Sequence, residues 1–215
     1  MTDLQSSSQF PETAGIILCG GKSSRMGRAK WSLPVGHENC LQRTIRILQD
    51  IVAPIVVVAA EDQNITGLPE GVTLVRDEIP EKGPLAGLSA GFDALISSSS
   101  INSAYVTACD VPLLKPAFVA AIISQLAAYD LAVVKEGKFY HPLAAVYRLD
   151  LAERVASLLG ADRLRPFFLI EESNSREIEV NELRRVDPDL ESLRNMNTPS
   201  EYEEVLRSLG LSAPE

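Results

Sequence analysis

Short apolar runs alternate with stretches of helical periodicity along most of the chain, and polar or glycine residues close each run. Runs of this kind, which are typical of buried strands, cover residues 14–19, 55–59, 72–76, 104–108, 131–135 and 143–147. Between them, residues 40–52, 84–96 and 118–127 place apolar side chains at the three- and four-residue intervals of a helix. The run 55–59 (IVVVA) is apolar throughout, as expected of a strand in a parallel sheet that is covered on both faces.

This alternation predicts an α/β fold, with a mostly parallel central sheet, helices on both faces and right-handed crossover connections. The pattern becomes less regular after residue 160. One late helix nevertheless has clear start signals, because Thr198 and Glu201 match a capping box and Pro199 stands at the first helical position. Residues 1–13 are polar, so we expect a flexible N-terminal tail followed by a single domain over residues 14–215.

Composition excludes several classes of function. The 215-residue chain carries a net charge of -9, whereas general nucleic-acid-binding proteins are usually basic. The longest apolar run, residues 51–60, is too short to span a bilayer, and the N-terminus has no signal-peptide pattern. Three cysteines without paired spacing argue against a disulfide framework or a zinc site and favour a reducing compartment. We therefore expect a cytoplasmic protein that binds neither nucleic acid nor a membrane.

A glycine-rich loop with several cations follows the first predicted strand, and residues 18–30 read LCGGKSSRMGRAK. Gly20 and Gly21 would let backbone N–H groups approach an anion, while Arg25 and Lys30 would add positive charge. Residues 15–46 contain six cations and a single acid, Glu38, which predicts a focused anion site in an acidic protein. The Walker A and dinucleotide-binding patterns are both absent. The alternative is an ordinary glycine–serine turn whose cations are solvated.

Two other strand ends carry acidic residues. Asp77 ends the third strand, and the segment GPLAGLSAG that follows contains Gly83 and Gly87, which would allow close approach of a base or ribose. Asp110 follows the strand over residues 104–108, where a buried carboxylate is a candidate ligand of Mg²⁺. The alternatives are that the glycines serve tight helix packing and that Asp110 caps the next turn.

Five motifs occur in order between residue 15 and about residue 209. They are L-x-G-G-x-x-x-R-M-G-x-x-K, an aspartate followed by GPLAGL, CDVP, HPL-x-A-x-Y and N-x-N-T-P. Together they resemble the motifs of the molybdenum cofactor guanylyltransferases. The resemblance implies a Rossmann-like nucleotidyltransferase fold and transfer of GMP from GTP to the phosphate of the molybdenum–molybdopterin cofactor. This reaction forms the molybdopterin guanine dinucleotide cofactor and releases pyrophosphate.

The resemblance also implies roles for single residues. Nucleotide contacts would come from Leu18, Cys19, Gly20, Gly21, Arg25, Lys30, Asp77, Gly83 and Asp110. Within this set, Arg25, Lys30 and Asp110 would be catalytic, and Asp110 would bind Mg²⁺. The pterin substrate would contact Arg163, Asn195 and Asn197, so that the N-terminal part of the domain binds nucleotide and the C-terminal part binds molybdopterin.

The same resemblance implies GTP and molybdopterin cofactor as substrates. We expect a monomer that makes transient contacts with cofactor-synthesis and molybdoenzyme proteins. Two other functions share part of the pattern. A sugar-1-phosphate or molybdopterin cytidylyl-type nucleotidyltransferase would share the first motif, but cytidylyl relatives tend to have A-A-G where this chain has Cys19, Gly20 and Gly21. Loss of a methyl group beside the base makes room for a purine, so GTP is favoured. A non-catalytic GTP-binding adaptor that handles the cofactor is the other alternative, although it would not need Asp110.

Overall fold

The computed structural model of the protein describes residues 9–20, 28–77 and 82–212. Within these ranges the strands are β1 (Thr13–Leu18), β2 (Pro34–Val35), β3 (Glu38–Asn39), β4 (Ile55–Ala60), β5 (Val72–Asp77), β6 (Ser103–Ala108), β7 (Leu131–Glu136), β8 (Phe139–Arg148) and β9 (Ser175–Glu179). The α-helices are α1 (Cys40–Gln49), α2 (Pro84–Leu95), α3 (Pro116–Ile123), α4 (Ala152–Gly160), α5 (Pro166–Glu171), α6 (Val180–Leu183) and α7 (Pro199–Ser208). Short 3₁₀ helices cover Lys30–Ser32, Leu149–Leu151 and Glu191–Leu193.

Seven of these strands form one mostly parallel sheet in the order β5-β4-β1-β6-β8-β7-β9. Strands β5, β4, β1 and β6 are parallel neighbours, and β7 pairs in parallel with β9. Strand β8 is antiparallel to both β6 and β7. It takes this direction because it follows β7 through a two-residue turn, in which Gly137 has the positive φ of 60° that tight hairpins favour. The predicted α/β class and mostly parallel sheet are confirmed.

Helices cover both faces of the sheet and bury two apolar layers. One layer joins the sheet to α1 and α3, and the other joins it to α2, α4 and α5. Strand β1 contributes to both layers, since Ile17 lies in the first and Ile16 and Leu18 lie in the second. A central strand that is buried on both faces explains why β1 and β4 are almost continuously apolar in sequence.

Several elements differ from the sequence prediction, and β2, β3, α4 and α6 were not predicted. Helix α3 ends at Ile123 rather than at residue 127, and Ala127 takes a left-handed conformation with φ of 38°. Strand β8 is longer than the predicted 143–147, because a register shift opposite Val133 and Val134 accommodates Pro142 within the strand. Strand β9 was not predicted at all.

The last helix begins as the sequence predicts. Pro199 is its first residue, the Thr198 side chain accepts a hydrogen bond from Glu201 N, and the Glu201 side chain accepts one from Thr198 N. Across the described ranges, no helix has both the length and the apolar composition required to cross a bilayer.

Candidate active site

The carboxyl ends of parallel strands bring several of the predicted nucleotide-binding residues to one edge of the sheet. Leu18 at the end of β1 pairs with Ala108 at the end of β6, and Cys109 N donates to the Leu18 carbonyl at 3.1 Å. Asp77 ends β5 opposite Ala60 of β4. This edge is where open α/β sheets bind their ligands.

Asp110 is the centre of a polar cluster just beyond β6. It is only 6% exposed, so its carboxylate requires polar partners. Lys30 Nζ donates to Asp110 Oδ2 at 2.7 Å and to Asn197 Oδ1 at 2.6 Å. The amide nitrogen of Asn195 lies 3.5 Å from Asp110 Oδ1. The structure therefore joins four predicted site residues that come from three distant parts of the sequence.

The segment that carries both asparagines is fixed by the residue between them. Met196 is fully buried in a third apolar cluster, and its N–H donates to the Asp110 carbonyl at 3.1 Å. Asn197 N donates to Glu201 Oε2 at 2.6 Å at the start of α7. The backbone N–H groups of Asn197 and Thr198 lower the pKa of Glu201, which keeps this acceptor ionised. These bonds hold the two asparagines beside Asp110.

An ion pair between partly exposed Lys115 and buried Asp187 holds the chain that precedes this segment. Lys115 Nζ donates to Asp187 Oδ1 at 2.7 Å, and Ser192 N donates to Asp187 Oδ2 at 2.8 Å. Burial would raise the pKa of Asp187, but the hydrogen bonds from Lys115 and Ser192 outweigh it and lower the pKa. Lys115 N also donates to Ser192 Oγ. The loop after Asp110 is thus tied to the chain that leads to Asn195.

Arg43 and Arg46, two of the six cations counted toward the predicted anion site, bind protein groups. Glu38 accepts from Arg43 at 3.1 Å and from Arg46 at 2.8 Å, and Arg43 Nε donates to the Pro112 carbonyl at 2.7 Å. These contacts lower the pKa of Glu38, chiefly through Arg46. Arg43 therefore braces the loop behind Asp110, and Arg46 is paired with Glu38. The excess of positive charge around Lys30 is smaller than the sequence count indicated.

The described part of the glycine loop leads from the core to the surface. Leu18 and Cys19 are buried, whereas Gly20 is exposed. No described atom lies within 4 Å of the position that a Gly20 Cβ would occupy. The described residues therefore impose no packing demand at Gly20, and close approach of a ligand stays a prediction. Gly21 and Arg25 lie outside the described residues.

Gln63 is a residue of this edge that the sequence did not reveal. Its side chain donates to the Cys19 carbonyl at 2.8 Å and accepts from Ala60 N at 3.1 Å, so it joins the ends of β1 and β4. Arg76 in turn donates to the carbonyls of Ala60 and Gln63 at 3.0 and 2.6 Å. The orientation of the Cys19–Gly20 peptide therefore depends on a side chain 44 residues further along the chain.

The glycines of the GPLAG segment serve the backbone and the packing of α2. Gly83 is the N-cap of α2 with a positive φ of 72°, which favours glycine. A Cβ on Gly91 would lie 2.8 Å from Ile16, and one on Gly87 would lie 3.2 Å from Leu18. Tight helix–sheet packing thus accounts for Gly87 and Gly91, as the alternative interpretation proposed. Nucleotide contact by Gly83 stays a prediction.

Arg163 lies in a different environment from the Asp110 cluster. It forms an ion pair with Glu172, and its guanidinium stacks 4.3 Å from the centre of the Phe168 ring. The neighbouring Asp162 pairs with Lys82, which directly precedes Gly83. Arg163 therefore belongs to the corner between α4 and α5, on the face of the sheet that α2 covers.

The chemistry available at this edge is that of charge and hydrogen bonding. Cys19, Cys40 and Cys109 are buried and unpaired with one another, and burial raises the pKa of Cys40 to about 12, which disfavours a thiolate nucleophile. The ranges described contain no group of three His, Cys, Asp or Glu residues arranged to hold a metal. Asp110 and the asparagine amides instead offer hard oxygen ligands, which suit a divalent cation that also binds substrate phosphates.

Known proteins resemble this chain over most of its length. A family model described as the MobA-like NTP transferase domain matches residues 15–176. A protein of Mycobacterium bovis, described as a probable molybdenum cofactor guanylyltransferase, is 36% identical over 189 residues, which cover 86% of this chain and 89% of that protein.

Solved structures share the fold. Molybdopterin-guanine dinucleotide biosynthesis protein A from Archaeoglobus fulgidus superimposes with a TM-score of 0.74 at 20% identity, covering 92% of this chain and 98% of that one. Rv0371C from Mycobacterium tuberculosis, in complex with manganese, superimposes with a TM-score of 0.60 at 15% identity, covering 92% and 99%. At these identities the two structures support the fold alone.

Proposed function

Because the chain belongs to the family of MobA-like NTP transferases, we propose that it transfers GMP from GTP to the phosphate of the molybdenum–molybdopterin cofactor and releases pyrophosphate. The product is the molybdopterin guanine dinucleotide cofactor. As a nucleotidyltransferase, the protein must hold two phosphorylated substrates side by side, with the nucleophilic phosphate in line with the α-phosphorus of the nucleotide.

One observation carries the proposal. Lys30 follows the glycine loop that is proposed to bind the nucleotide, and Asn197 belongs to the motif that is proposed to bind the pterin. Lys30 donates to Asn197 and to Asp110. The N-terminal and C-terminal motifs therefore meet at one point, which is what a transfer between two substrates requires. A non-catalytic adaptor would have no need of this convergence.

The residues of this point have distinct roles in the proposed reaction. The attacking group is a phosphate oxygen, which is already nucleophilic, so no side chain has to remove a proton. Lys30 and Arg25 stabilise the negative charge that moves onto the departing pyrophosphate. The N–H groups of Gly20 and Gly21 orient the nucleotide phosphates, and Gln63 fixes the Cys19–Gly20 peptide from which the Gly20 N–H projects.

Asp110 is the proposed ligand of a divalent cation, and we propose Mg²⁺ for this position. A single carboxylate is sufficient, because Mg²⁺ usually takes one or two carboxylates and completes its shell with substrate phosphates and water. When bound there, Mg²⁺ withdraws electron density from the phosphate oxygens and neutralises part of their charge. The manganese complex of the mycobacterial protein with this fold agrees with a divalent ion.

Asn195, Asn197 and Arg163 are proposed to bind the pterin substrate. The asparagine amides offer both donors and acceptors for a phosphate or a pterin edge, and Lys30 already holds Asn197 in place. Arg163 lies at the corner of α4 and α5, so its contact would be with a different part of the same substrate. Leu18, Cys19 and Asp77 are proposed to contact the nucleotide.

The test of the function is release of pyrophosphate from GTP with and without molybdopterin, followed by detection of the dinucleotide product. We expect release that depends on molybdopterin and on GTP, with CTP a poor substitute. Efficient use of CTP would favour a cytidylyltransferase. Tight GTP binding without any release of pyrophosphate in the presence of molybdopterin would instead favour the adaptor.

A further inference from the structure

An exposed aromatic ring stands on α5, close to the corner that holds Arg163. Large apolar side chains with high exposure among the described residues are Ile96, Phe139 and Phe167. Phe167 is 42% exposed, while Leu169 and Ile170 of the same helix are buried and anchor it to the sheet. The helix thus presents one partly exposed ring outward from a firmly packed base.

Neighbouring rings hold Phe167 in a fixed orientation. Its centre is 6.0 Å from Tyr140 and 6.0 Å from Phe168, with interplanar angles of 47° and 61°. The Tyr140 hydroxyl donates to Glu177, which also pairs with Lys135. These two donors lower the pKa of Glu177, so it remains an ionised acceptor that restrains Tyr140. These contacts therefore orient the row Tyr140–Phe167–Phe168 before any ligand binds.

Cations stand at both ends of this aromatic row. Lys135 Nζ lies 5.4 Å from the centre of the Tyr140 ring, and the Arg163 guanidinium lies 4.3 Å from the centre of the Phe168 ring. A flat ligand on Phe167 would thus have N–H donors at either edge, from Lys135, which pairs with Glu177, and from Arg163, which pairs with Glu172. This combination suits a planar heteroaromatic compound that carries carbonyl groups or a phosphate.

The row lies on the same edge of the sheet as Asp110. Strands β6 and β7 are both antiparallel to β8, so their carboxyl ends point the same way, and Tyr140 pairs with Lys135 near the end of β7. Strand spacing and rise place Tyr140 on the order of 10 Å from the end of β6. A pterin whose phosphate is at Asp110 spans a distance of this order through its short carbon linker.

We infer that Phe167, held between Tyr140 and Phe168, is the platform on which the pterin ring of the second substrate stacks. The inference rests on the proposed function, since that function supplies a substrate with a pterin ring and a terminal phosphate. Stacking of a flat heteroaromatic ring on an aromatic side chain removes one face of each ring from water and is favoured by dispersion. A platform that is already oriented lowers the ordering cost of binding.

The experiment is a fluorescence titration of the purified full-length protein with a 6-substituted pterin that carries a phosphate monoester. Stacking quenches pterin emission, which gives both Kd and a signature of ring contact. Phe167→Leu removes the ring but keeps apolar bulk, and we expect Kd to rise about 5- to 150-fold. Phe167→Tyr keeps the ring and should retain the affinity. Ile96→Ala, which removes another exposed apolar side chain, is the matched control and should bind like the wild type.

The guanylyl transfer reaction supplies a second readout. In Phe167→Leu, KM for molybdopterin should rise by the same factor, while KM for GTP and kcat at saturation stay unchanged. Wild-type Kd and KM in Phe167→Leu would overturn the stacking platform but leave the function intact, because transfer by the wild type is measured in the same assay. Equal losses in Phe167→Leu and Ile96→Ala would also overturn it. A wild type that binds GTP but neither binds the pterin nor transfers GMP would refute the proposed function itself.

Discussion

Replacement of Lys30 by methionine tests the centre of the site directly. The change keeps an unbranched side chain of similar length but removes the ammonium group. That group donates to Asp110 at 2.7 Å and to Asn197 at 2.6 Å. We therefore expect Lys30→Met to destabilise the protein without divalent cations, and to make its stability depend more strongly on Mg²⁺ than that of the wild type.

The expected magnitude follows from the burial of the pair. The side chains of Lys30 and Asp110 are only 23% and 8% exposed, so solvent screens their attraction weakly. A hydrogen bond to a charged group contributes roughly 1.5–3 kcal/mol, and the substitution leaves the Asp110 carboxylate without this cation. A loss of about 2 kcal/mol corresponds to a decrease in Tm of about 4–8 °C for a chain of this size.

Thermal unfolding in EDTA and then across a Mg²⁺ titration would measure both effects. Mg²⁺ should raise the Tm of Lys30→Met more than that of the wild type, since the ammonium no longer competes for Asp110 and ligand binding stabilises by mass action. Lys82→Met, which breaks an exposed ion pair with Asp162, is the control and should change little. A wild-type Tm in EDTA, or an identical Mg²⁺ response, would refute the reasoning.

Four other predictions concern the same edge of the sheet. Asp110→Asn should lower the rate of pyrophosphate release on the order of 10² or more, and near-normal turnover at saturating Mg²⁺ would contradict its role. Gln63→Glu replaces the amide donor by a carboxylate, which cannot donate to the Cys19 carbonyl and repels it. This change should raise KM for GTP about tenfold and leave KM for molybdopterin unchanged. Arg163→Ala and Asn197→Ala should retain GTP affinity but lose molybdopterin affinity in separate titrations, and a loss of GTP binding first would contradict this. Folding lowers the pKa of Asp187 below its value of about 4 in the unfolded chain. The ionised carboxylate therefore stabilises the fold fully above about pH 4, and this contribution is lost as the pH falls through the pKa of the folded state. The difference in Tm between the wild type and Asp187→Asn should therefore shrink below about pH 4, and a constant difference would exclude the charged pair.

Much of the fold could be read from the sequence, because the parallel half of the sheet is buried on both faces and leaves continuous apolar runs. The resemblance to molybdenum cofactor guanylyltransferases is confirmed by the family match and by the relatives. The far half was harder to predict. Pro142 made β8 look shorter than it is, and β9 is an edge strand in which only Ile178 is fully buried. The single domain over residues 14–215 stays a prediction.

The site was only partly predictable, for a physical reason. The motifs locate Asp110 directly after β6 and Lys30 after the glycine loop that follows β1. They could be predicted to lie close together because the carboxyl ends of parallel strands meet at one edge of the sheet. Gln63 gave no signal, because its role depends on a carbonyl partner 44 residues away and glutamine has no special backbone preference. Glu38 was counted as one acid among six cations, but its carboxylate engages two of them at once. Charge counts along a sequence do not reveal such pairing.

The apolar cluster behind Met196 makes the completed site depend on the last part of the chain to be synthesised. Met196 and Tyr202 pack against Leu33 and Val35, and the Tyr202 hydroxyl donates to the Pro34 carbonyl at 2.5 Å, across 168 positions of sequence. Because a domain generally folds as one unit, these contacts form only after α7 has been synthesised. A chain that ends before Asn197 therefore lacks both this cluster and the partner that Lys30 holds beside Asp110.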